Sequence, residues 1–225
     1  MAVRTSNSGG EFEMPPEGMV LARCFKIIDL GTHLDPGFGK EVHKASIYFE
    51  LPNTLQKEGN YAGQPFIVKQ QFNLSHNKKA NLRIMLEGWF GKRFDSKALD
   101  AAGGFDLEKL VGRPALVNIV HSEDGKYANL ATVNPLPNGM ECPPQISESF
   151  VFSLEDFSPT KFAALSQKMQ DYISQCGEYI EMHRPRKEAA IPSGGVMSDL
   201  DDDFPFVSCA LADDVTIRRL WWPRR

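Results

Sequence analysis

One stretch limits what this chain can fold into more than any other. From Glu41 to Leu51 the residues alternate, with Ala45, Ile47, Phe49 and Leu51 on one side and Lys44, Ser46, Tyr48 and Glu50 on the other. A two-residue period belongs to a strand with one dry face and one wet face. Such a strand needs neighbours in a sheet and an apolar layer beneath it. Upstream, Met19–Leu30 is β-rich and almost continuously apolar, which predicts a long strand buried on much of both faces. Gly31–Lys40 contains Pro36, Gly37 and Gly39 and reads as a loop. Downstream, a third strand follows Pro65, with Phe66, Val68, Phe72 and Leu74 inward and Lys69, Gln71 and Asn73 outward.

The period then switches. Leu82, Met85, Leu86 and Trp89 recur at helical spacing, so 78–90 reads as a helix that Gly91 stops. Short turns of helix are expected over 95–101 and 106–110. Pro114–His121 and Lys126–Val133 read as strands joined by the hairpin signal Ser122-Glu-Asp-Gly. The class is therefore mainly β with helices, α+β. Three strands, a helix and two strands is the element order of a five-stranded OB-fold-like barrel with a helix between strands 3 and 4. A split sheet or another small barrel shares that order. After a Pro-rich connector, Phe150–Leu154 reads as one more strand. Ser158 and Pro159 open what reads as a long C-terminal helix carrying the stripe Phe162, Leu165, Met169, Tyr172, Ile173, Cys176 and Ile180. That stripe packs on the parent domain or serves a partner. The expected organisation is a disordered leader over 1–18, a nucleic-acid-binding domain over 19–137, a connector over 138–157, the helix over 158–183 and a flexible acidic tail with an Arg/Trp extension over 184–225.

Composition narrows the function classes. No apolar run reaches the roughly 18 residues of a membrane span, and the polar start has no secretory h-region. Cys24, Cys142, Cys176 and Cys209 are far apart and without metal-type spacing, so free thiols in a cytosolic protein are expected. The net charge is −4, but Met19–Pro135 holds 15 Lys and Arg against 12 Asp and Glu. A mildly basic body with an acidic arm differs from a uniformly acidic protein.

Catalytic signals are weak. His33, His43, His76, His121 and His183 are scattered, and no Gly-x-Ser-x-Gly, His-Glu-x-x-His or Cys-x-x-Cys occurs. Asp29, Glu50 and Lys69 lie on strands and would suit a metal nuclease only if the carboxylates converged on one ion; solvated positions are the simpler reading. A protein that is not an enzyme, with no cofactor and no metal, is expected.

Binding signals are stronger. Single-stranded nucleic acid needs cations along its backbone and aromatic faces for its bases. The outward face of strands two and three offers Lys44, Tyr48, Lys69, Gln71 and Asn73, with Arg23 and Phe25 sharing a parity on the first strand. Lys92 and Arg93 sit between aromatics in Trp89-Phe-Gly-Lys-Arg-Phe, and His121, Lys126 and Tyr127 flank the last hairpin, one of the usual binding loops of an OB fold. For each cluster, ordinary solvated residues are an even alternative.

Ser198–Phe206 places four aspartates within five residues ahead of Phe204-Pro205-Phe206. Crowded like charges favour a solvated arm, and proline holds the rings in an extended shape ready to dock. Asp201, Asp202, Asp203, Phe204, Pro205 and Phe206 are thus a candidate partner-binding hook; an acidic tail with no partner is the alternative.

Two resemblances bear on these readings. Pro16-Glu-Gly-Met-Val-Leu-Ala-Arg-Cys-Phe-Lys-Ile-Ile-Asp-Leu-Gly-Thr, Tyr48-Phe-Glu-Leu-Pro, Asn81-Leu-Arg-Ile-Met-Leu-Glu-Gly-Trp-Phe-Gly-Lys and Val120-His-Ser-Glu-Asp-Gly-Lys-Tyr-Ala-Asn-Leu resemble phage-encoded single-stranded DNA-binding proteins over more than half the chain. Asp201-Asp-Asp-Phe-Pro-Phe is similar to the acidic tip of bacterial single-stranded DNA-binding proteins, which recruits replication and repair enzymes. The resemblances imply an OB-fold protein that coats single-stranded DNA during phage replication or recombination. They also imply a tail that recruits partners, and action in the cytoplasm of the infected bacterial host; a homo-oligomer is compatible with them. A protein-interaction adaptor or recombination mediator is the alternative, and a metal nuclease the third. One departure matters. In the bacterial tip the chain ends at the final Phe, whereas here Val207–Arg225 follow and Phe206 has no free carboxylate.

Overall fold

The structure is a computed structural model that describes residues 13–184 apart from 38 and 76. The acidic run, the hook at Asp201–Phe206 and the Arg/Trp end lie outside the described residues.

The alternating segment is the second of six strands in one sheet. In chain order these are β1 (Gly18–Asp35), β2 (Lys40–Leu55), β3 (Pro65–Asn73), β4 (Pro114–His121), β5 (Ala128–Asn134) and β6 (Phe150–Phe152). The order across the sheet is β3-β2-β1-β4-β5, antiparallel throughout, with β6 joining β1 in parallel. β1 is long because it serves three neighbours. Gly18–Arg23 pairs with β4, Lys26–Ile28 with β6, and Arg23–Asp35 with β2. The expected loop at Gly31 is instead a continuation of β1. Gly31 takes a left-handed φ of 76° at a register shift, and the strand runs on to Asp35.

Two register shifts against β2, one between Cys24 and Lys26 and one between Asp29 and Gly31, change which side chains share a face. Before the first shift Ala22 and Cys24 enter the inner core; after it Ile27 does. That core also holds Ile47, Phe49, Leu51, Val117 and Ile119, and it is closed by α1 (Asn81–Phe90) through Leu82, Leu86 and Trp89. Trp89 is fully buried and its indole N–H donates to the Pro114 carbonyl at 2.9 Å, so its polar atom carries no desolvation debt. Gly91 takes a left-handed φ of 63° and ends the helix.

The sheet does not close into a barrel: no ladder joins β3 to β5 among the described residues. Instead α1 bridges the two edges, with Phe72, Met85 and Leu130 around one cleft. α1 lies so near β5 that a Cβ on Gly88 would come within 3.2 Å of the Val133 carbonyl oxygen.

A second core lies on the outward face of β1. It comprises Ile28, Leu30, Phe152, Leu154, Leu165, Ile173 and Cys176. The single long helix expected over 158–183 is three short ones: α3 (Pro159–Ala163), α4 (Gln167–Ile173) and α5 (Gly177–Met182). α2 (Ser96–Ala101) lies earlier, after α1. Ser166 and Cys176 hold extended backbone, with ψ of 149° and 154°, and each is the N-cap from which the next short helix starts. Helices this short are marginal alone and depend on packing. The apolar stripe therefore packs on the parent sheet through Phe162, Leu165, Met169, Tyr172, Ile173 and Cys176, whereas Ile180 is exposed. The described part of the leader is also anchored: the Glu13 carboxylate accepts the Lys57 N–H at 2.7 Å, and Pro15 is buried.

Candidate nucleic-acid interface

The expected interface lies on the outward face of the sheet, and the structure divides that face. On the β1 side, charged residues hold the C-terminal segment down. Arg23 donates to the carbonyls of Gly112 (2.6 Å), Cys142 (3.0 Å) and Pro143 (2.8 and 3.1 Å). Glu50, its cross-strand partner, is fully buried and accepts the N–H groups of Ile146 and Ser147, both at 2.8 Å. Asp29 accepts the Leu154 N–H at 3.2 Å and the Gly31 N–H at 3.0 Å, and meets His43 Nε2 at 2.7 Å. Glu178 on α5 accepts the Thr32 N–H at 2.8 Å and the Thr32 hydroxyl, and lies 3.8 Å from His43 Nδ1. Four charged side chains thus fasten residues 142–178 across β1 and the near half of β2.

These contacts set the electrostatics. The hydrogen bond to Asp29 raises the His43 pKa against the opposing effect of burial, with further help from the charge of Asp29 and then of Glu178. Burial pushes Glu178 up, but the Thr32 hydrogen bonds and nearby His43 prevail and hold it down at about 2. Asp29 and Glu50 do not converge, and no group of three or more His, Cys, Asp or Glu among the described residues is placed to hold a metal ion.

On the same face β3 is open, whereas on β2 Ser46 is fully buried and Tyr48 packs against the rim of the second core. Tyr48 pairs with Lys69, Ser46 with Gln71 and Lys44 with Asn73. Lys69, Gln71 and Asn73 are exposed, while Lys44 and Tyr48 are half-buried. Across β2, Tyr48 pairs with Lys26, whose ammonium lies 5.5 Å from the Tyr48 ring and 4.7 Å from the Phe150 ring. Burial lowers the Lys26 pKa and raises that of Tyr48. One row across three strands therefore reads cation, ring, cation.

Sequence parity missed Lys26. The register shift at Phe25 turns Lys26 to the outward face, and nothing in the sequence signals the shift. Phe25 is only 6% exposed and meets Tyr48 edge-to-face, with centroids 6.5 Å apart, so it supports the platform rather than stacking on a base. Arg23 likewise has its donors spent on carbonyls. Lys78 and Lys79 are exposed just beyond β3, and Lys79 lines a cleft with Gln71 and Asn73.

The other candidates are dispersed. Lys92 and Arg93 are exposed beyond α1, which packs on the inner core and not on the face of Tyr48. His121 Nε2 lies 2.8 Å from the Pro15 carbonyl, and its backbone N–H is accepted by Glu17, so this histidine fastens residues 15–17. Lys126 is exposed on the β4–β5 hairpin, 3.9 Å from Asp124, and Tyr127 is 66% exposed beside it.

Comparison with protein-family models, curated protein sequences and solved structures finds no match. The chemistry rests on this geometry alone.

Proposed function

We propose that the protein binds single-stranded DNA, without strong sequence preference, on the open half of the outward face. The observation that carries this reading is the Lys26–Tyr48–Lys69 row, followed by exposed Gln71 and Asn73. A ring flanked by ammonium groups suits a base over the ring and phosphates on either side. Stacking is worth about 1–3 kcal/mol per base whatever its identity. Lys44, Lys78 and Lys79 extend the phosphate path, and Lys126 with Tyr127 offers a second platform on the hairpin.

The matching fold reading is an OB-type barrel left partly open between β3 and β5. The strand order, the helix between β3 and β4 and the helix bridging the gap support it. A role in phage replication or recombination, with Asp201–Phe206 recruiting partners, goes with this reading.

The test is fluorescence titration with oligo-dT against duplex of equal length. Tight, salt-sensitive binding to the single strand is expected, with Tyr48→Ala plus Lys69→Ala weakening it about tenfold or more. Equal affinity for duplex and single strand would refute the function, and an unchanged titration for the double variant would refute the face.

A further inference from the structure

A half-open cavity of about 400 Å³ lies at one end of the inner core, under α1 and α2 and against β6. Its volume is in the range of small-ligand pockets. Apolar side chains from separate elements form its walls, among them Leu82, Phe94, Leu99, Phe105 and Val151. Several of these are only half-buried because one side of each faces the void, and α2 buries no residue at all. Interiors are otherwise close-packed, so apolar walls around a space this large forgo dispersion contacts that a guest would restore.

The charges at the cavity limit that guest. Asp29 is engaged by His43. His43 in turn faces Asp29, Glu178 and, at longer range, Glu155. Asp106 lies 3.4 Å from Lys109. Arg83 is buried and bonded to Glu87, Ser96 and the Phe94 carbonyl. Glu108 and Glu155 also line the cavity, are exposed, and make no salt bridge among the described residues. The net field repels phosphate and favours a cation, so this site is separate from the basic row that would hold DNA.

We propose that the cavity receives a partner protein through an aromatic residue adjoining a basic one, the ring filling the apolar interior and the guanidinium or ammonium resting at the Glu108 and Glu155 rim. Charge complementarity and the unfilled apolar walls select this occupant over an acidic or wholly polar segment.

The test is a nuclear magnetic resonance titration of the full chain with acetyl-Trp-Arg-amide and acetyl-Trp-Glu-amide. The arginine peptide should shift the amide signals of Gly103, Gly104 and Ser153, and the glutamate peptide should bind at least about tenfold more weakly. Glu108→Gln and Glu155→Gln should each weaken the arginine peptide about threefold. Leu99→Trp should fill the cavity and remove binding, with the rest of the spectrum preserved because α2 carries no buried side chain. Saturating oligo-dT should leave the titration unchanged. Equal binding of both peptides, shifts confined to other residues, no binding at millimolar peptide, or displacement by oligo-dT would each overturn the proposal. The peptide and variant arms read the cavity whether or not oligo-dT binds the open face; only the displacement arm uses oligo-dT.

Discussion

The β1 side and the β3 side of one sheet face carry similar side chains in different surroundings. Arg23, Glu50 and Asp29 on the covered side are as polar as Lys44, Lys69 and Gln71 on the open side. What separates them is the backbone that lies above. Where residues 142–178 cross the sheet, each charge meets several N–H or carbonyl groups and becomes a fastener. Where no chain crosses, Lys69 and Gln71 stay exposed and Lys44 half-buried. Polar alternation along a strand therefore marks an outward face without saying whether that face is free.

The comparison can be broken most sharply at Gly31. A Cβ there would meet Cys176 Sγ, come within 2.6 Å of Cys176 Cβ and within 2.8 Å of Leu154 Cδ1, at a φ of +76°. Gly31→Ala should cost about 2–5 kcal/mol through overpacking and left-handed strain. The urea midpoint should fall while the remaining folded fraction still binds oligo-dT; an unchanged midpoint would mean that the second core does not depend on this approach.

Glu50→Ala comes next. It leaves the Ile146 and Ser147 N–H groups without their acceptor, at a cost of about 2–4 kcal/mol. A loss of oligo-dT affinity larger than the loss of stability would show that Glu50 serves the ligand and that the covered half is functional after all.

Lys69→Ala should do the opposite. Stability should stay within about 0.5 kcal/mol, while oligo-dT affinity falls a few-fold and the salt dependence loses roughly one phosphate contact. A stability loss with intact binding would reverse the assignment of the two halves.

The smallest effect concerns pH. His43 has a raised pKa in the folded state, so its contribution is fully present below its ordinary 6.5 and is lost as pH rises through the raised value. Glu178 is depressed to about 2, so its contribution is present above its ordinary 4.5 and fades as pH falls toward about 2. The fastening of α5 should be strongest between those ordinary values. Both groups are about one-third exposed, so each slope is shallow. Chemical denaturation across pH should show both slopes, with His43→Gln removing the alkaline one and Glu178→Gln the acid one; a variant that keeps its slope would remove that group from the fastening.

Much of this fold was legible from local pattern. The β4 boundaries at Pro114 and His121, the inward set Phe66, Val68 and Phe72, and the α1 stripe of Leu82, Leu86 and Trp89 all follow from periodicity and caps, because one buried face repeats at the period of its element. Lys69 and Gln71 were legible as exposed for the same reason. The continuation of β1 past Gly31 was not, because a glycine at a bulge and a glycine in a loop look alike in sequence. Nor was the break of one long helix into α3, α4 and α5, since neither Ser166 nor Cys176 is a helix breaker by residue type.

The sequence by itself determined the outward and inward faces of β2 and β3 and the helix between β3 and β4, because side-chain direction along a regular element is a local property. Only the tertiary structure decided that Phe25 supports Tyr48 while Lys26 flanks it, that Arg23 and Glu50 fasten a connector about a hundred residues away, and that the sheet stays open between β3 and β5. Those outcomes depend on register shifts and on which distant backbone lies over a given side chain, and neither leaves a local trace.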